Sequence, residues 1–283
     1  MSWTDTPPHR RSLEQRLRNT AGDGRAFTRV RTTMALVVVS QMLPDGAVKG
    51  GTAMAFRLGM RARFTRDLDA GGIMSLETFT ADLEDALASG WAGFTGRLIA
   101  LAPPAPRGVP DAYVMRPFDV KLSYQGQSWC TIRFELGQIE IPDAEATTAV
   151  IAPELVALFT DVGLPAPNAG PVLAAEHQIA QKLHAVSSPG SDRARDLVDL
   201  QLLVRSDGLD PARAAEICRR TFAFRRSQPW PPAIEARPSW RELYAAAAEG
   251  LPVLPTVDEA VVWVNDLITT IDTASAERPR KSS

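Results

Sequence analysis

The chain has 283 residues, 45% hydrophobic and 23% charged, with a formal net charge of −2. This is ordinary globular composition at a length that suits one large domain or two modest ones. A near-neutral balance excludes a global basic field for nucleic acid, while local basic patches stay open.

Met1 to Arg18 is polar, carries Pro7 and Pro8, and lacks the apolar core of a signal peptide. Ser12 to Arg18 reads as a short basic helix and Arg25 to Met42 as a second helical segment, although Val37-Val38-Val39 allows a strand. The apolar run Met34 to Val39 is too short to span a bilayer. Cys130 and Cys218 lie far apart without metal-ligand spacing, which fits reduced thiols. The expectation is a cytoplasmic protein with no membrane partner.

Pro44-Asp45-Gly46 is a turn, and Ala47-Val48 begins a short strand that delivers Lys49-Gly50-Gly51-Thr52 to a helix ending at Gly59. A glycine pair at a helix start lets backbone N–H groups approach a triphosphate. Lys49 adds a point charge there, and the Thr52 hydroxyl is within reach of a phosphate oxygen. A plain turn is the competing reading of Gly50-Gly51.

Arg63 to Ala70 reads as a strand on which Asp67 and Asp69, two apart, share one face. Such a pair repels itself unless a cation lies between, and Mg²⁺ (or Mn²⁺) with nucleotide phosphates completing its shell is suited to that place. A solvated edge is the alternative. Ser75 opens a helix to about Ser89. Strands follow at Phe94 to Leu101, Phe118 to Tyr124 and Trp129 to Leu136, with a Pro-rich loop, Pro103 to Pro110, after the first. Two residues compete as the third acid: Glu135, between Phe134 and Leu136, and Asp119, between Phe118 and Val120.

After Pro165 to Asn168 the pattern turns almost wholly helical: Val172 to Val186, Asp192 to Val204, Ala212 to Arg225, Trp240 to Glu249 and Val257 to Ile271, with a Pro-rich linker from Ser227 to Pro238. The expected architecture is therefore α/β (or α+β), a mixed sheet with helices followed by a helical C-terminal domain. Its expected divisions are 1–160, 161–275 and a disordered tail at 276–283. Lys182 stands on a helix face away from the stripe of Ile179, Leu183 and Val186, as a phosphate contact or a snorkelling surface lysine. Asp196 and Asp199 share a face of the next helix, where Asp196 also suits the helix dipole and Ser191 or Asp192 suits the cap.

Lys49-Gly50-Gly51-Thr52-Ala53 followed by Arg63-Phe64-Thr65-Arg66-Asp67-Leu68-Asp69 resembles the nucleotidyl transferase AbiEii/AbiGii toxin family. Ile132 to Gly137 resembles its next strand, with Glu135 where the family usually has Asp. Glu176, Lys182 to Ala185 and Arg193 to Leu200 resemble its helical segment. The likeness spans roughly residues 12–205 with the order of the blocks kept. It implies a DNA-polymerase-β-like nucleotidyltransferase fold whose helical domain completes the nucleotide cleft. It implies metal on Asp67, Asp69 and Glu135, and an NTP held by Lys49, Gly50, Gly51, Thr52 and Lys182. Asp196 becomes an active-site residue that orients Lys182 or an arginine. It further implies a toxin with a cognate antitoxin, transferring NMP to RNA, with the tRNA 3′ end as acceptor. Arginines at 10, 11, 16 and 18, at 61, 63 and 66, and at 219, 220, 225 and 226 would then meet RNA phosphates, against the plain reading of solvated faces. Transfer to a protein or small molecule, or a non-catalytic regulator-binding homologue, are the alternatives.

Overall fold

The computed structural model describes residues 3, 5–22, 24–72, 74–104, 114–138 and 147–274. The chain divides into two compact units, Met1–Met60 with Phe64–Leu173, and Arg61–Arg63 with Ala174–Ser283. The expected tail at 276–283 lies outside the described residues.

The first unit carries helices α1 (Arg10–Ala21), α2 (Gly24–Ser40), α3 (Gly50–Leu58), α4 (Leu76–Ser89) and α5 (Pro153–Thr160). Its strands are β1 (Gly46–Lys49), β2 (Asp67–Gly72), β3 (Phe94–Ala100), β4 (Arg116–Tyr124), β5 (Gln127–Gln138), β6 (Thr147–Val150) and β7 (Gly170–Leu173). They form one sheet in the order β3-β4-β5-β2-β1-β7-β6. The β2–β5 and β1–β7 pairs are parallel and the others antiparallel.

Strand alternation decides which face is dry. Leu68 and Ala70 of β2, Phe118, Val120 and Leu122 of β4, and Ile132, Phe134 and Leu136 of β5 are buried. They join one core with Leu13, Leu17, the run Met34–Val39, Phe79 and Leu83. Phe79 of α4 stacks on Phe134 at 6.4 Å between centroids, and Phe118 lies 6.1 Å from the same ring. The Val37–Val39 run is helical: as part of α2 it is buried throughout, and burial on a helix overrides its β preference. Because these residues fix the dry face, the interleaved Asp67, Asp69, Asp119, Arg133 and Glu135 emerge together on the other.

Two stretches differ from expectation. Val172 and Leu173, read as helix, close the sheet in β7, with Val48 and Val172 in register. Arg63 to Arg66 is not strand, since β2 starts at Asp67.

The second unit holds α6 (Ala175–Ser187), α7 (Arg195–Asp207), α8 (Pro211–Arg225), α9 (Trp240–Ala248) and α10 (Val257–Ala274). Its core includes Ile179, Leu183, Leu197, Leu203, Phe222, Trp240, Tyr244, Val264 and Ile271. Helix α7 begins at Arg195 with Ala194 in the cap position, rather than being capped by Ser191 or Asp192. The Ser191 hydroxyl donates to the Ala185 carbonyl, and Asp192 accepts from Ser239.

Candidate active site

β1 ends at Lys49, whose extended backbone (φ −132°) passes directly into α3 through Gly50. Gly50 has φ +65°, and a Cβ on it would stand 1.9 Å from Asp69 Oδ2. Both the left-handed backbone and the close carboxylate demand glycine there. The Asp69 carboxylate therefore lies against the start of α3. Lys49, in the cap position, makes no side-chain capping bond, and the first N–H groups of a helix form an anion-binding position. Thr52 is fully buried, and its hydroxyl donates to the Asp67 carbonyl at 2.7 Å. That corrects the expectation of a phosphate contact: Thr52 ties α3 to the first residue of β2.

Sheet register sorts the charged side chains into two rows. Lys49 is level with Asp69 and Asp69 with Glu135. Asp67 is level with Arg133 and Arg133 with Asp119. The Lys49 side chain reaches across β2 to β5, with Nζ 3.2 Å from where a Cβ on Gly137 would sit. Asp119 is bridged by Arg133 (3.7 Å) and stands two strands from β2, whereas Glu135 is the immediate neighbour of Asp69. The carboxylates of Asp67 and Glu135 have no hydrogen-bond or ion-pair partner among the described residues.

Among the described residues no three His, Cys, Asp or Glu side chains form a ready-made metal cage. Asp69 and Glu135 share one row and Asp67 stands in the next, an open arrangement. The donor set still suits a hard cation, which keeps waters and substrate phosphates in its shell rather than demanding protein ligands throughout. The residues present thus fit a divalent ion.

The helical unit contains a second set of charges. Lys182 of α6 is buried, with Nζ 3.0 Å from Asp196 Oδ1 and 2.7 Å from Asp199 Oδ2, both on α7. Arg193 Nε meets Asp196 at 2.7 Å, and Arg63 meets Asp199 through Nε and Nη2, each at 3.3 Å. Burial would push the Lys182 ammonium down, but Asp196 and Asp199 override it and hold it above its ordinary value. Burial likewise pushes the Asp196 carboxyl up, and Lys182 and Arg193 bring it below the ordinary aspartate range. Lys182 is thus a closed ion-pair centre, not a surface lysine, and Asp199 is as close a partner as Asp196. The i, i+3 spacing of the two acids in the sequence already placed them on one face; only the fold supplies Lys182 and Arg63.

Several arginines expected at RNA are engaged elsewhere. Arg16 is buried and bonds to Asp5 and the Val162 carbonyl, Arg10 donates to the Ser128 carbonyl, and Arg63 holds Asp199. His184 is buried: burial first, then Arg225, pushes its imidazole down to about 4. Ser227 lies 2.8 Å from its Nε2.

A glycine turn opening a helix beside an acid-bearing strand of a mixed sheet defines a nucleotidyltransferase fold. MenT4, a nucleotidyltransferase toxin from Mycobacterium tuberculosis H37Rv, shares this fold at 16% identity with a TM-score of 0.50, covering 93% of this chain and 98% of that one. A "putative nucleotidyltransferase" from H. pylori aligns at 13% identity with a TM-score of 0.47, covering 90% of this chain and 98% of that one. No curated protein matches. The family model for the nucleotidyl transferase AbiEii toxin of type IV toxin–antitoxin systems matches residues 37–263. The chain belongs to this family of nucleotidyltransferase toxins. Membership implies an NTP substrate and a cognate antitoxin. Among the described residues no helix is long and apolar enough to cross a membrane.

Proposed function

We propose that this toxin acts in the cytoplasm and transfers NMP from an NTP to RNA, with the tRNA 3′ end as acceptor, in a reaction that depends on Mg²⁺ or Mn²⁺. The observation that carries the site is the row Lys49–Asp69–Glu135 beside the glycine-bearing start of α3. In this reading the N–H groups at Gly50 and Gly51, together with Lys49, bind and orient the triphosphate. Asp67, Asp69 and Glu135 hold the divalent ion. When bound, that ion supplies charge stabilisation at the attacking and leaving oxygens. Glu135, adjacent to Asp69 and without a protein partner among the described residues, accepts the proton of the attacking hydroxyl. Thr52 holds the Asp67 backbone in place. Lys182 and Asp196 are read as a positioning pair of the helical unit, whose mutual contact fixes the ammonium.

The test incubates the protein with each labelled NTP, Mg²⁺, and either total tRNA or total protein. Label in tRNA at its 3′ terminus supports the reading. Label in protein alone would make the toxin a protein-modifying nucleotidyltransferase.

A further inference from the structure

Helix α8 ends in an open pocket of about 630 Å³, whose lining includes Arg219, Phe222, Arg226, Ser227, Trp230 and Asp272. We propose that this pocket holds one unpaired nucleotide of the RNA acceptor, its base against the Trp230 indole and its phosphate on Arg226. The proposal rests on the RNA reading above and adds a site on the helical unit.

Three observations support it. The first is the state of Arg226. Its guanidinium has no partner among the described residues, although Arg219 beside it is bonded to Asp272 at 2.9 Å. The second is its backbone. Arg226 occupies the left-handed position after α8 (φ +54°, ψ +18°), where helices ordinarily place glycine. A cation near a helix C-terminus is favourable in itself, but any residue of the last turn provides that without left-handed backbone. The strained position sets a partnerless cation into the pocket lining, and such strain clusters at ligand sites.

The third is the ring. Trp230 Nε1 donates to Asp272 Oδ1 at 2.9 Å, the same oxygen that receives Arg219, and the indole stands edge-on to Phe222 at 5.2 Å. The ring is half-buried and fixed from two sides. The loop before it is fixed as well. Ser227 is held by His184, and Gln228 donates to the His184 carbonyl at 2.7 Å and to Ser187 Oγ at 2.9 Å. A pinned aromatic ring beside an unpaired arginine matches single-stranded nucleic acid, where bases stack on rings and cations follow phosphates. A cavity of this volume takes one nucleotide. An acidic protein segment would use Arg226 but has no need of the ring, so RNA is favoured.

The test measures binding of a fluorescein-labelled octaribonucleotide of mixed sequence by anisotropy, for the wild-type chain and for Arg226→Gly, Trp230→Leu and Trp230→Phe. Arg226→Gly relieves the left-handed strain, so its Tm should hold or rise while affinity falls and the salt dependence flattens by about one counterion. Trp230→Leu should weaken binding about tenfold, and Trp230→Phe should restore most of it, because the ring rather than the N–H carries the contact. Unchanged affinity in Arg226→Gly and Trp230→Leu overturns the proposal. So does an acidic peptide that binds with the same dependence on Arg226 and displaces no RNA. A separate readout keeps the two claims apart. If label enters RNA normally in both variants with unchanged RNA affinity, the pocket fails and the RNA reading stands. If wild-type enzyme labels no RNA, the reading itself fails.

Discussion

The sheet face and the helical ion cluster use the same residue types to opposite ends. On the sheet, Asp67 and Glu135 present carboxylates that no described residue engages, near the start of α3. In the helical unit, Asp196 and Asp199 are buried and each meets two cations. Carboxylates left open on a dry-backed strand cost stability through mutual repulsion and leave their oxygens available to a ligand. Saturated carboxylates in a core hold structure and position a lysine. The contrast teaches that counting acids does not locate a metal site. What distinguishes the two regions is whether each acid's hydrogen-bonding capacity is already filled.

The comparison breaks most visibly at β2. Asp69→Asn should lower NMP transfer about a thousandfold, equivalent to roughly 4 kcal/mol of transition-state stabilisation, with the melting temperature held or raised. Asp67→Asn should behave similarly. Near-normal turnover in either would return these acids to a solvated edge.

In the helical unit the same kind of change should act on stability first. Lys182→Met leaves Asp196 and Asp199 with only Arg193 and Arg63, and should cost about 3 kcal/mol in denaturant unfolding, because stranded buried charges are expensive. An unchanged midpoint would mean that the cluster is not structural.

The third acid sharpens the sheet side. Glu135→Gln should lower transfer about a hundredfold, in keeping with loss of a general base, while Asp119→Asn changes it by less than about threefold. The reverse order would move the role to Asp119 and make the register argument wrong.

A pH titration separates the regions further. The folded-state pKa of His184 lies at about 4, below its ordinary 6.5, because the buried imidazole is kept neutral. Its contribution is therefore intact above pH 6.5 and is lost as pH falls from 6.5 toward 4. The loss should be roughly 3 kcal/mol and absent in His184→Gln. Equal slopes in the two proteins would contradict the neutral, hydrogen-bonded imidazole.

The smallest effect belongs to Thr52. Thr52→Val should cost about 1 kcal/mol of stability, because the Asp67 carbonyl keeps only the long bond from Thr65, and Thr52→Ser should restore it. Loss of NTP affinity without loss of stability would instead bring its hydroxyl to the phosphate.

The legible part of this molecule was local. The glycine turn, the i, i+2 acids and the alternation in Phe134-Glu135-Leu136 each follow from short-range geometry, and those residues stand in one stretch of sheet. The choice between Glu135 and Asp119 was not legible, because both alternate cleanly with core residues. Only the β2–β5 pairing, set over more than sixty residues of chain, makes Glu135 the neighbour of Asp69. The burial of Lys182 was not legible for the same reason: a lysine off the apolar stripe reads as a phosphate contact or a surface lysine until another helix covers it with carboxylates. The strand β7 was hidden because Gly170-Pro171-Val172-Leu173 is too short to show alternation and is strand only through its neighbours β1 and β6. The engagement of Thr52 with a carbonyl and of Arg16 with Asp5 and Val162 likewise depends on tertiary placement that residue type does not reveal.

The central claim is that the acids of the sheet, Asp67, Asp69 and Glu135, and not Asp196 and Asp199 of the helical unit, bind the catalytic cation. Calorimetric titration of Mn²⁺ into the protein with a non-hydrolysable NTP analogue tests it directly, using wild type, Asp69→Asn and Asp199→Asn. The account predicts one ion site in wild type, at least about tenfold weaker binding in Asp69→Asn, and affinity within about twofold of wild type in folded Asp199→Asn. Binding that survives in Asp69→Asn and disappears in Asp199→Asn would contradict it.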